Sequence, residues 1–104
     1  MNNPVQNKIN LLQLLKEHEA EILVYGVGLM GLFGSFVRNQ ANDKSDIDFV
    51  VEFKPGQKNF DNFIGLAFYL EDLLDRKIEL LTLKSMSPYM KPEIMKEVEY
   101  VIAA

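Results

Sequence analysis

A chain of 104 residues with a formal net charge of −4 has the length of a single domain, residues 1–104, with enough material for one core. The absence of cysteine excludes disulfides and thiolate metal sites. Cations are scattered singly apart from Arg76-Lys77, which speaks against a nucleic-acid partner held through its phosphates but leaves room for a small anion bridged by metal cations. "MNNPVQNK" lacks the apolar centre of a signal peptide, and no apolar run approaches the ~18 residues of a membrane span. A cytoplasmic protein without membrane contact is expected.

In chain order, "NKINLLQLLKEHEAE" (7–21) places Ile9, Leu11, Leu12, Leu14 and Leu15 near an i, i+3, i+4 stripe and predicts an amphipathic helix. "EILVYGVGLMGLF" (21–33) reads as a turn and a mostly apolar strand ending near Phe33. Gly34-Ser35 makes a turn, and "SFVRNQ" (35–40) is expected as a short helix with Ser35 as its N-cap. "NQANDKS" is loop chemistry. "DIDFVVEF" (46–53) alternates, with Ile47, Phe49, Val51 and Phe53 on one face and Asp46, Asp48, Val50 and Glu52 on the other. "KPGQK" breaks the chain. "NFDNFIGLAFYLEDLLD" (59–75) is a longer helix started by Asn59 or Asp61, and "RKIELLTL" (76–83) is a strand. "SPYMKPEIMKEVEYV" (87–101) gives a loop and a short final helix, with Pro92 in its first turn. The order α-β-α-β-α-β-α with short connections is most economically an α+β fold, a small mixed sheet with helices packed on one face.

Two glycine patterns compete. Gly26, Gly28 and Gly31 have the spacing G-x-G-x-x-G, with Asp46 and Asp48 about 20 positions on, as in dinucleotide-binding folds. That fingerprint requires a long helix after the glycines, whereas "LMGLF" continues as strand, so these glycines are read as serving turn geometry and close backbone packing. Gly34-Ser35 carries more information, because ten residues separate it from Asp46-x-Asp48. Two Asp residues two apart on a strand project the same way, ~6–7 Å apart at their roots. Their carboxylates can converge on Mg²⁺ or share two ions, with Ile47 between them facing the core. A Gly-Ser turn opening a helix offers backbone N–H groups, a hydroxyl and a positive helix end to a phosphate.

On those residues, "LFGSFVRNQANDKSDIDFVVEF" resembles the signature of the DNA polymerase β-type nucleotidyltransferase superfamily. More closely, the chain resembles the minimal nucleotidyltransferases, or MNT proteins, that act as antitoxins of HEPN-domain toxins; the likeness runs over nearly its whole length. The resemblance implies a polymerase β-like nucleotidyltransferase fold with a third carboxylate on a later strand, where "RKIELLT" supplies Glu79 in place of the more usual Asp. Asn39 stands where relatives commonly carry Gly, and Asn tolerates positive φ. The implied chemistry is transfer of AMP from ATP to a hydroxyl, a tyrosine of a partner HEPN toxin, with release of pyrophosphate. Asp46, Asp48 and Glu79 are then the catalytic carboxylates and the holders of one or two Mg²⁺ ions. Gly34 and Ser35 anchor the β- and γ-phosphates, and Arg38 balances their charge. Assembly of the chain with itself or with its partner is allowed.

Each assignment has a plainer alternative. Asp46 is also a cap after Ser45, Gly34-Ser35 a helix start alone, Glu79 the solvated residue of a half-exposed strand, and Arg38 and Lys44 solvated cations. Glu52 is read as exposed, His18 as a helix-end residue among charges with no part in catalysis, and Tyr89 and Met90 as packing. A binding-only antitoxin with vestigial carboxylates is the main rival, and nucleotidylation of a small-molecule hydroxyl is a third reading for which no dedicated pocket is apparent.

Overall fold

The computed structural model describes residues 4–104. Asn7 and Asn59 open helices in the same way, each turning a side-chain oxygen onto the N–H three residues ahead: Asn10 at 2.9 Å and Asn62 at 2.8 Å. They begin α1 (Lys8–Glu17) and α3 (Phe60–Leu74). The first predicted helix is split, since His18 leaves helical geometry (φ −112, ψ 19) and a short α2 (Glu19–Leu23) follows. The strands are β1 (Val27–Phe33), β2 (Ile47–Phe53), β3 (Ile78–Thr82) and β4 (Glu99–Ala103). A short helix, α4 (Lys91–Glu97), precedes β4 with Pro92 in its first turn. No helix among the described residues is long and apolar enough to cross a membrane.

The four-stranded sheet has the order β3-β2-β1-β4. β1 pairs antiparallel with β2 and with β4, while β2 and β3 are parallel, so the sheet is mixed as expected. Alternation along β2 settles which face is covered. Ile47, Phe49 and Val51 join Leu11 and Leu15 of α1, Ile22 of α2 and Leu66, Leu70 and Leu74 of α3 in the main core. Each such apolar side chain contributes about 1.5–3 kcal/mol on full burial. Val50, on the opposite face, gathers with Phe33, Met86 and Ile94 in a smaller cluster that fastens α4. The rest of that second face is where Asp48 projects.

Two expectations are corrected. "SFVRNQ" is not a helix but a series of turns, in which Gln40 N–H donates to the Ser35 carbonyl at 2.8 Å and Arg38 N–H to that of Gly34 at 3.3 Å. It is bounded by positive φ at Gly34 (78°) and Asn39 (57°), and the left-handed backbone at Asn39 stops it from continuing as a helix. Asn39 thus adopts the left-handed turn expected of it. "EYVIA" is strand β4 rather than the end of a helix: Val98 turns to φ −58, ψ 131, and the β-prone run that follows takes the free edge of β1. Gly28 and Gly31 lie inside β1, which confirms that the G-x-G-x-x-G spacing is no strand-to-helix turn. At Gly31 a methyl would collide with Val98.

Candidate active site

Asp48 stands at the second residue of β2, opposite Phe33 in the antiparallel register and beside Glu79 in the parallel one. Strand pairing thus brings Asp48 and Glu79, 31 positions apart in sequence, side by side on one face of the sheet. Asp46 immediately precedes β2 and is half-buried, as is Asp48, while Glu79 is exposed. Burial comes first among the causes that push the Asp48 carboxyl up to about 6, followed by the negative charges of Glu79 and Asp46; Arg38 works against the rise and Glu97 adds to it.

Gly34 closes the site from the other side. It is buried and takes φ 78°, and any side chain there would overlap the Asp48 carboxylate. The chain after β1 therefore turns directly over Asp48, in a geometry only glycine combines with that contact. Ser35 is half-buried beside it; its carbonyl accepts the Gln40 N–H, and its hydroxyl makes no hydrogen bond among the described residues. Arg38 reaches back from the turn, donating Nε to Gln40 at 3.1 Å.

Glu97, the last residue of α4, is a site residue that no sequence pattern marks. One of its oxygens, Oε2, accepts the Gly34 N–H at 2.7 Å, and Arg38 Nη1 donates to Oε1 at 2.8 Å and to Oε2 at 3.0 Å. Burial acts to raise the Glu97 carboxyl, but the Gly34 hydrogen bond and Arg38 together hold it below the usual carboxylate range.

Arg76 fixes the long connection between the turn and β2. Its Nε donates to the Val5 carbonyl at 2.7 Å, and its Nη1 to those of Asn42 at 2.6 Å and Ser45 at 3.0 Å. Its guanidinium also lies 5.1 Å from the centre of the Phe36 ring. Ser45, the residue before Asp46, is thereby anchored to the second residue after α3. Arg76→Ala removes the donor from three carbonyls and is expected to cost about 2 kcal/mol, read as a drop in Tm of several degrees. Arg76→Lys should recover only part, because an ammonium lacks the planar fork. A melting curve within about 0.5 kcal/mol of wild type, the range of ordinary surface changes, would show the clamp to be idle.

The donor set suits a hard divalent cation. Asp46, Asp48 and Glu79 offer only carboxylate oxygen, and the crowding on Asp48 is the kind a cation relieves. Among the described residues no three His, Cys, Asp or Glu side chains are gathered as a ready-made ion cage. Mg²⁺ ordinarily uses one or two carboxylates with substrate phosphates and water rather than an all-protein cage, so the residues fit it. Of the remaining residues named from sequence, Lys44 and Glu52 are exposed, and Tyr89 and Met90 are exposed rather than packed. A concavity of about 420 Å³ lies between the start of α3 and the end of β3 (Lys58, Phe60, Phe63, Thr82, Ser85) and includes none of the acidic residues.

Residues 10–101 match the family model of the nucleotidyltransferase domain. Protein adenylyltransferase MntA of Thermococcus cleftensis is 35% identical over 89 residues, covering 85% of this chain and 89% of its own. A Methanocaldococcus jannaschii protein provisionally named a protein adenylyltransferase is 38% identical over 93 residues, covering 86% of this chain and 92% of its own. A chain from the structure of a tri-AMPylated Shewanella oneidensis HEPN toxin in complex with MNT antitoxin superposes with a TM-score of 0.61 at 22% identity, over 89% of this chain and 73% of that one; this is a likeness of fold. The matched segment runs from the first helix into the last strand and encloses Gly34, Asp48 and Glu79, and the chain belongs to the nucleotidyltransferase domain family.

Proposed function

We propose that the chain transfers AMP from ATP to a tyrosine hydroxyl of a partner HEPN toxin, in a Mg²⁺-dependent reaction that silences the toxin. The observation that carries this reading is the placement of Asp48, with Glu79 in register on one side and the Gly34-Ser35 turn against its carboxylate on the other. The names of the relatives support the donor and the protein acceptor, and the tri-AMPylated HEPN toxin in a complex of like fold supports the partner.

In this reading Asp46, Asp48 and Glu79 would hold Mg²⁺, which would neutralise charge on the triphosphate and lower the pKa of the attacking hydroxyl. The chain's own groups do the rest. Gly34 N–H and the Ser35 hydroxyl bind the β- and γ-phosphates, and Arg38 neutralises their charge. Glu79, the exposed carboxylate of the three, accepts the proton of the tyrosine hydroxyl as its oxygen attacks the α-phosphorus. The bond to the bridging oxygen breaks and pyrophosphate leaves.

The test is to incubate the chain with Mg²⁺, α-labelled ATP and the product of the adjacent reading frame. Label on the partner, and a partner mass increased by whole AMP units, is expected. A second reading, neutralisation by contact alone, draws on one observation: Gly34 N–H and Arg38 already share Glu97. Toxin silenced without label, at any Mg²⁺ concentration, would establish that reading and refute the enzymatic one.

A further inference from the structure

We propose that Glu97 is an internal occupant of the phosphate seat, a carboxylate that the polyphosphate of an incoming nucleotide displaces. The inference rests on the reading of Gly34, Ser35 and Arg38 as the nucleotide's anchor, and goes beyond it by making α4 a competitor for the same donors.

The geometry is that of a bound anion. A backbone N–H at the end of β1 and a guanidinium four residues on converge on one carboxylate, at 2.7 Å from Gly34 and 2.8 and 3.0 Å from Arg38. These are the lengths of charge-assisted hydrogen bonds, and Arg accepts carboxylate and phosphate in the same forked manner. Gly34 has one N–H, and Glu97 uses it. A phosphate taking that hydrogen bond evicts the carboxylate, and a polyphosphate left beside an ionised Glu97 would meet a like charge at close range.

Eviction is mechanically feasible. Glu97 ends a helix of seven residues whose one buried side chain is Ile94, held in the small cluster with Phe33, Val50 and Met86. Glu97 reaches the seat through its own flexible side chain, so a rotamer change releases it without unpacking Ile94. Competition of this kind lowers the apparent affinity for nucleotide by the fraction of molecules with the seat closed. Because linkage is reciprocal, whatever holds Glu97 away raises nucleotide affinity, and bound nucleotide releases α4 from the turn.

The test measures binding of inorganic tripolyphosphate and of a non-hydrolysable ATP analogue by calorimetry, both without and with Mg²⁺. Glu97→Gln should tighten both ligands about tenfold, the equivalent of one charge-assisted hydrogen bond no longer contested. Glu97→Asp, with a side chain too short for both donors, should also tighten them and serves if the glutamine variant folds poorly. Glu93→Gln makes the same change in net charge on an exposed residue of α4 paired with Lys96, and should leave affinity unchanged. Tightening by Glu93→Gln equal to that of Glu97→Gln would reduce the effect to bulk charge and overturn the proposal. So would folded Glu97 variants that bind no better than wild type, which would make Glu97 a structural tie while leaving the nucleotide reading intact. If wild type and all variants bind neither ligand, the nucleotide reading itself fails, and this proposal with it.

Discussion

Asp48→Asn is expected to remove nucleotidyl transfer, by about 10³-fold or more, and at the same time to raise the melting temperature of the metal-free protein above neutral pH. The two effects have one cause. The Asp48 carboxyl is pushed up from an ordinary 3.8 to about 6 by burial and then by Glu79 and Asp46. The folded state therefore binds that proton more readily than the unfolded chain does, so the ionised form opposes folding. Stability from this group is greatest below pH 3.8 and is lost as pH rises through about 6. A shift of about two units corresponds to at most ~3 kcal/mol, and since Asp48 is only half-buried, screening reduces this to about 1 kcal/mol.

Asn keeps the shape of the side chain and cannot ionise, so that cost disappears at pH 8 and persists in wild type; the gain is a few degrees in Tm. Glu97 runs the other way. Its lowered carboxyl supplies stability above the ordinary 4.5 that is lost as pH falls below it. Wild type should accordingly be most stable near pH 5, where Asp48 is largely protonated and Glu97 still ionised. Adding Mg²⁺ at pH 8 should raise the Tm of wild type by mass action and that of Asp48→Asn much less. Calorimetric melts across pH 4 to 8 check all three points, and a lower Tm for Asp48→Asn at pH 8 would show that the carboxylates do not crowd one another.

What the sequence disclosed and what it withheld divide along physical lines. The Gly34-Ser35 to Asp46-x-Asp48 spacing is local, and period-two alternation in β2 assigned Asp48 to the face opposite Phe49 without further information. Glu79 came from family likeness rather than from its own surroundings, and only strand register places it beside Asp48. Glu97 had no signal at all: a Glu at the end of a charged helix is ordinary, and its partner Gly34 lies 63 positions away. Arg76 was visible only as half of a basic pair, because its partners are backbone carbonyls of Val5, Asn42 and Ser45, which carry no sequence mark. β4 was hidden by continuity, since an apolar run directly after a helix has the same composition whether the helix continues or stops. What ends it is the extended backbone at Val98 and the open edge of β1, a tertiary circumstance that overrides local pattern.

Gly34→Ala should destabilise the fold and disable the site together. Gly34 combines φ 78° with a contact in which a Cβ would overlap the Asp48 carboxylate. The backbone conformation alone costs a non-glycine residue about 1–2 kcal/mol, and the overlap adds a further penalty of about 1–3 kcal/mol typical of overpacking. The chain can relieve the overlap only by rotating Asp48 away or lifting the turn, and either movement separates the carboxylate from the Ser35 side of the site. A displacement of about 1 Å is enough to lower a positioned reaction ~10²-fold, so transfer should fall by at least that much in molecules that remain folded. The contribution of the contact can be isolated with the double variant Gly34→Ala/Asp48→Ala, because shortening Asp48 removes the atoms the new methyl would strike. The two substitutions should then be less destabilising together than their sum by about 1–2 kcal/mol, a coupling typical of residues in contact. Additive losses in denaturant melts would show that Gly34 is required for its backbone geometry alone, and that its closeness to Asp48 is not what holds the turn over the carboxylate.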